Sequence, residues 1–271
     1  MRPTPETLVL SDDPIVAGKA PLRAVILAAG QGKRLLPLTE SRPKCLVELS
    51  GRSLLAWQLL RLQRAGVAEV VVVTGFGAEA VEAEIAGLGL DPMRVRTLYN
   101  PFYAVSDNIA SCWIAREAFE GPVLLLNGDT LFEQEIVQRL IGAPEAAVTV
   151  TIDRKSDYDA DDMKVLTDGD VLCAIGKTIT AYDAESIGFL RFSAEGAQLF
   201  MEAVDATLRK VGGLGRWYLS VIDELARTRG CVRVVSIQGL EWAEMDFPHD
   251  LAANIELTAR WARTGEVIGA G

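Results

Sequence analysis

Two glycines and a set of cations, Gly30, Gly32, Lys33, Arg34 and Lys44, stand in one short stretch of the chain. It reads AVILAAGQGKRLLPLTESRPKCLVELSGRSLL over residues 24–55. Glycine amides can approach a phosphate chain closely because no Cβ intervenes, and Arg34 and Lys44 could supply the neutralising charge. Leu27, Ala28, Ala29, Gly30, Gln31, Gly32 and Lys33 are therefore candidate nucleotide-binding residues. Two familiar phosphate loops are excluded. The dinucleotide fingerprint needs a third glycine where Leu35 stands, and the Walker A loop needs a glycine, four residues and then Gly-Lys-Ser/Thr.

Carboxylates follow at two other places. Asp129 closes Asn127-Gly128-Asp129, directly after the apolar run Val123–Leu126. That puts it at the carboxyl end of a predicted strand, where open α/β sheets bind ligands. The plainer role, a turn aspartate capping Leu131–Leu140, is compatible with catalysis. Glu244 and Asp246 alternate in Trp242-Ala243-Glu244-Met245-Asp246, so both fall on one face of an extended segment. Two carboxylates there repel unless a cation sits between them, and Mg²⁺ takes oxygen ligands. Asp246 is the stronger candidate of the pair, with helix capping before Pro248 as the alternative.

The order and spacing of Leu27-Ala28-Ala29-Gly30, Gly32, Arg34, Pro37-Leu38-Thr39 and Pro43-Lys44 resemble the signature of nucleotidyltransferases that make NDP-sugars and CDP-alcohols. The resemblance runs from residue 23 to about 255 and is most specific over 24–55. It implies a Mg²⁺-dependent transfer of a nucleotidyl group to a phosphorylated acceptor, with Gly128 and Asp129 in the metal turn. It also implies that lysines in the region of Lys164 and Lys177 hold the acceptor phosphate. A solvated strand-edge lysine is the alternative at each. Asn108 and Ser111 stand where the phosphocholine and inositol-phosphate cytidylyltransferases read base and ribose. The Gly-Thr-Ala-Gly pattern of hexose-phosphate enzymes is absent there. The segment Glu244–Leu251 is similar to the Glu-Ile-Asp-x-Pro-x-Asp-Leu motif of the cytidylyltransferase branch. These features lean the nucleotide towards CTP, with phosphocholine first among acceptors and other phospho-alcohols or aminoalkyl phosphonates behind it. A sugar-1-phosphate uridylyl- or guanylyltransferase stays open, as does a non-catalytic regulatory relative.

For the acceptor, Trp217, Tyr218 and Trp242 are candidates for an aromatic cage around a quaternary ammonium. Asp107, Asp161 or Asp162 could instead pair with an amine. Core packing is the more ordinary role for such aromatics.

The elements that must position these residues follow a strand–helix rhythm. Predicted helices cover 54–64, 78–86 and 108–119, and predicted strands cover 69–73, near 95–98 and 123–126. This predicts an α/β, Rossmann-like three-layer fold with a mostly parallel mixed sheet, of the nucleotidyltransferase or glycosyltransferase-A type. In the second half, strands over 163–166 and 171–175 flank Asp168-Gly169, a hairpin signal. Helices are predicted from Ser193 to about 210, over 217–228, and from Pro248 to Arg263. Residues 22–271 read as one nucleotidyltransferase domain whose acceptor lobe comes from about 147–245. Residues 1–21 read as an extension, either disordered or packed across a neighbour.

Composition bounds the rest. At 271 residues the chain can bury one substantial core. A net charge of −10 argues against nucleic acid or an anionic membrane as partner. CTP and a phosphorylated alcohol are the expected small-molecule partners, and a homo-oligomer stays open. The scattered Cys45, Cys112, Cys173 and Cys231 fit a reducing cytoplasm better than a disulfide or zinc framework. No apolar run is long enough for a membrane span, and the N-terminus lacks a signal-peptide core. With His249 the only histidine, Ser-His catalysis is disfavoured.

Overall fold

A computed structural model describes residues 22–263; the expected N-terminal extension lies outside them. In chain order the elements are β1 (Arg23–Leu27), β2 (Glu48–Leu49), β3 (Arg52–Ser53), α1 (Leu54–Arg64), β4 (Glu69–Thr74), α2 (Ala78–Gly87) and β5 (Arg94–Tyr99). Next come α3 (Asn108–Ile114), β6 (Val123–Asn127), β7 (Thr130–Phe132), α4 (Gln134–Gly142), β8 (Val148–Asp153), β9 (Lys164–Asp168) and β10 (Val171–Ile175). The remainder are β11 (Ala184–Phe192), α5 (Ala194–Leu208), α6 (Tyr218–Arg229), β12 (Val232–Ser236), β13 (Trp242–Glu244) and α7 (Asp250–Arg263).

The main sheet runs β5-β4-β1-β6-β11-β8-β12-β10-β9. Its first four strands are parallel, as their Val- and Leu-rich runs require when helices cover both faces. β11 then enters antiparallel between β6 and β8. The start of β11 also pairs with β9, Glu185 opposite Lys164, so the far end of the sheet curls back on itself. The hairpin forms where expected, but Asp168 itself pairs with Val171, so the turn is Gly169-Asp170, one residue later than Asp168-Gly169; Gly169 takes φ +61°.

Alternation along β1 feeds two cores. Val25 packs with α3, α5 and α6, whereas Ala24 and Ile26 pack with α1 and α4 on the opposite face. A third cluster joins Trp57 of α1, Leu131 of β7, Met245 and Trp261 of α7. It lies under the segments that carry Asp129 and Asp246. Among the described residues, no helix is long and apolar enough to cross a membrane.

Three of the boundaries that differ from the expected ones bear on the site. α3 stops at Ile114, and a 3-10 turn takes Arg116–Phe119. The helix after Asp129 starts at Gln134, because Thr130–Phe132 form β7 and pair with β13. The last helix starts at Asp250, with Pro248 and His249 in the preceding turn. There the Asp250 carboxylate accepts the amides of Asp246 and Phe247 at 2.8 and 2.7 Å.

Candidate active site

The glycine loop leaves the carboxyl end of β1, where Ala28 N donates to Val73 O and Phe76 N to Ala29 O, each at 3.0 Å. Gly32 is left-handed at φ +74°, and a Cβ there would sit 2.8 Å from Lys44 Cβ. Glycine at this position lets the Lys44 stem lie against the loop. Thr39 Oγ1 fixes the turn by donating to Gly32 O at 2.8 Å. The loop opens on a cavity of about 490 Å³ lined by Gln31, Gly32, Lys33, Arg34, Lys44 and Asp246, with Phe76 and Tyr103 as its apolar wall. Ala28 and Ala29 are buried beneath it.

Asp129 reaches the same place from β6. Gly128 has no room for a side chain: a Cβ would stand 2.7 Å from Leu27 O. Gln58 of α1, which the sequence reading missed, clamps this turn. Its buried Nε2 donates to Asn127 O and Thr130 O, both at 2.8 Å. Met245 N donates to Asp129 O at 3.0 Å, and the β7–β13 pair brings the Glu244–Asp246 segment alongside. Lys44 Nζ then lies 2.7 Å from Asp129 Oδ2 and also donates to Asp246 Oδ1. Asp129 and the Glu244–Asp246 pair, far apart in sequence, thus share one centre.

The electrostatics of this centre are unbalanced. Burial, helped by the charges of Asp129 and Asp246 and opposed by Lys44, raises the Glu244 carboxyl to about 8. Burial also works against the Asp246 carboxylate, yet Lys44, Arg34 and Lys177 hold it below the ordinary range. Lys44 is likewise held above its ordinary value: burial opposes the charge, and Asp129 and Asp246 outweigh it. Asp129 Oδ1 is buried with no hydrogen-bond partner. Such an oxygen beside a protonatable Glu244 fits a cation that needs oxygen ligands. Among the described residues, no group of three or more His, Cys, Asp or Glu side chains is arranged to hold a metal by itself. Magnesium needs only one or two carboxylates when phosphates complete its shell, so the Asp129–Asp246 pair suffices.

These shifts set a pH dependence. A carboxyl whose folded pKa is raised binds more protons folded than unfolded, so stability falls as pH climbs between the two values. Glu185 of β11, raised to about 7 by burial against the pull of Lys155, acts in the same direction. Without divalent cations, urea unfolding should give a stability lower at pH 8 than at pH 5.5 by about 2 kcal/mol. A flat or rising profile would show that these carboxyls are not buried as described.

Arg34 reaches over the centre. Its guanidinium lies 2.9 Å from Asp246 Oδ2 and 3.1 Å from Asp161 Oδ2, above the Phe247 ring. Lys177 Nζ approaches Asp161 Oδ1 at 3.4 Å and stands 5.0 Å from the Trp217 ring. Lys164 is placed elsewhere. It is buried on β9, donates to Asp159 O, and stands 5.5 Å from the Tyr182 ring. Lys164 is therefore not brought to the cations around Asp246, and Arg34, Lys44 and Lys177 are.

A second cavity, about 270 Å³, opens beside Asp129 and is lined by Leu27, Gly30, Asn100, Tyr103, Asn108 and Ser111, among others. Asn108 Oδ1 accepts Tyr218 N at 2.9 Å, tying α3 to the start of α6. Ser111 is buried and takes a hydrogen bond from Asn100 Nδ2 at 3.0 Å. Both residues build the cavity wall through contacts inside the protein. The candidate aromatic cage does not form, and Tyr218 takes the core role weighed against it. Tyr218 is fully buried with its hydroxyl on Gly188 O at 3.4 Å, because it anchors α6 in the core. The Trp217 ring faces Lys177, and Trp242 lines a third cavity.

A glycine loop after β1, an aspartate turn after β6 and a returning acidic segment make one arrangement, and it has counterparts. Residues 24–229 match the model of the MobA-like NTP transferase domain. The chain belongs to that family. Within the nucleotidyltransferase superfamily it is 35% identical over 246 residues to CMP-5'-(3-aminopropyl)phosphonate synthase of Streptomyces rubellomurinus. That match covers 85% of this chain and 38% of the relative, so the chain spans about four-tenths of the relative's length. It is 27% identical to CTP:phosphoglutamine cytidylyltransferase of Campylobacter jejuni, covering 87% of this chain and all of the relative. Among solved structures, the inositol-1-phosphate CTP transferase from T. maritima superimposes with a TM-score of 0.74 at 23% identity. It covers 88% of this chain and 95% of its own, which supports the fold.

Proposed function

We propose that this chain transfers CMP from CTP to a small phosphorylated alcohol or alkyl phosphonate, releasing pyrophosphate. The observation that carries the reading is the meeting of Arg34, Lys44 and Lys177 with Asp129 and Asp246, beside a cavity at the end of β1. An acceptor phosphate is already a nucleophilic dianion near neutrality, so the barrier is anion repulsion and alignment rather than proton removal. His249, exposed and stacked on Phe247, is not poised as a base. Arg34 and Lys44 neutralise the triphosphate along the glycine loop, and Lys177 meets the incoming acceptor phosphate. Asp161 must yield its contacts with Arg34 and Lys177 as phosphates arrive. Asp129 and Asp246, with Glu244 behind them, would hold Mg²⁺, which supplies the remaining charge neutralisation at the α-phosphate.

CTP is favoured because two relatives named for cytidylyl transfer or a CMP product align along most of this chain. Phosphocholine, the first acceptor expected from the sequence, loses support with the missing cage. Keeping the phosphate cations and the carboxylates together argues against a non-catalytic relative. The test is thermal shift with CTP, UTP, GTP, ATP and dTTP plus Mg²⁺, followed by pyrophosphate release with CTP and a panel of phospho-alcohols. Stabilisation and release with CTP are expected. Stabilisation by UTP or GTP alone would replace this reading with a sugar-1-phosphate nucleotidyltransferase.

A further inference from the structure

A third cavity, about 580 Å³, runs from Asp246 and Glu244 past Trp242 to Lys155, Asp162 and Glu185. Carboxylates dominate its lining, and Lys155 is the one lysine or arginine among the described residues that line it. Glu185 is 3% exposed, on the stretch of β11 that curls back to β9. Lys155 Nζ lies 2.9 Å from Asp162 Oδ2 and 2.9 Å from Glu185 Oε1. Glu185 Oε1 is buried, and this ion pair is the one contact it makes among the described residues. A buried carboxylate short of donors is costly, and an ammonium seated squarely on it relieves that cost.

Lys155 is a stand-in that shows what the carboxylate pair accepts. Its side chain is 35% exposed and follows the end of β8, so it can withdraw to solvent. A primary ammonium brings three donors to two carboxylates. A quaternary ammonium brings none and relies on aromatic faces alone; Trp242 and Phe247 line one edge of the cavity, and the single Tyr158 ring lies 5.6 Å from Lys155 Nζ. We infer that Glu185 and Asp162 are specificity-determining residues that bind the primary ammonium of an aminoalkyl phosphate or phosphonate acceptor, in the place Lys155 now holds. The inference rests on the proposed transfer reaction. The anionic end of the acceptor then points towards Asp161 and Asp246 in the cavity lining, the carboxylates that Arg34 meets and, for Asp161, that Lys177 meets from outside it.

Pyrophosphate release is measured with CTP, Mg²⁺ and 2-aminoethylphosphonate, phosphoethanolamine, phosphocholine or glycerol 3-phosphate. The two primary amines are expected to exceed the others in kcat/KM by about 30-fold, the scale of hydrogen bonds to a charged group. Glu185→Gln and Asp162→Asn should each shrink that preference to within about threefold, through KM more than kcat, while CTP still shifts the melting temperature. Lys155→Met should lower KM for the amines. Equal use of phosphocholine or glycerol 3-phosphate, or an unchanged preference in both variants, would overturn the inference. Calorimetry with 2-aminoethylphosphonate alone separates this from the transfer reaction. Binding lost in Glu185→Gln supports the site even if CTP is not the nucleotide, and no binding to the unmodified protein overturns it.

Discussion

Asp129→Asn is expected to fold normally and to turn over at least about 10³-fold more slowly, the scale of losing a charge-stabilising group at a reacting phosphate. The substitution keeps size and leaves the backbone bond from Met245 N to Asp129 O in place. What it removes is one negative charge and one carboxylate oxygen: the amide oxygen stays towards the Lys44 ammonium, so the NH2 group takes the place of Oδ1, which is buried without a partner. It also removes one of the two charges that help burial raise Glu244 and one of the two that hold Lys44 charged, so the two effects oppose each other and the cation-free variant should stay close to the parent in stability at pH 8. The decisive measurement is therefore a pair. Pyrophosphate release must collapse, and the gain in melting temperature on adding Mg²⁺ must shrink with it. Loss of activity with an undiminished Mg²⁺ shift would remove Asp129 from the cation site, and an active variant would remove it from the chemistry.

The parts of this site that could be read from the sequence are those written in consecutive residues. The loop from Leu27 to Arg34 and the Asn127–Asp129 turn each hang on an apolar strand, and position along that strand fixes where they point. The contacts that assemble the centre are long-range. Arg34 meets Asp161 and Asp246 across the chain; local pattern singles out Asp246 as a candidate, but nothing local announces either contact. β7 and β13 have three residues each, too short for periodicity to appear, so the turn at Asp129 looked like a helix start. Gln58 is polar on the buried face of α1, legible only once the turn it clamps is known. Glu185 did leave a trace, a lone acid at the head of the apolar run Ala184–Phe192, since a charge in such a strand has to be answered by something. Tyr218 misled because adjacency to Trp217 says nothing about direction: at the first turn of α6 one ring enters the core and the other faces out.

Lys44→Met should produce an equally deep loss of turnover, about 10³-fold, but with the opposite response to cations. Lys44 is the ammonium that lies against both Asp129 and Asp246. Removing it leaves those carboxylates and Glu244 to repel one another in a largely buried place. Breaking such a pair by deleting one partner typically costs about 3 kcal/mol, because the remaining charge is left uncompensated. The cation-free variant should therefore melt well below the parent, most clearly at pH 8, where Glu244 begins to ionise. Added Mg²⁺ no longer competes with an ammonium for the same oxygens, so it should raise the melting temperature of Lys44→Met by more than that of the parent. Asp129→Asn weakens the cation response and Lys44→Met strengthens it, although both silence the reaction. If Mg²⁺ stabilises Lys44→Met no more than the parent, the oxygens that Lys44 now occupies are not those that take the metal.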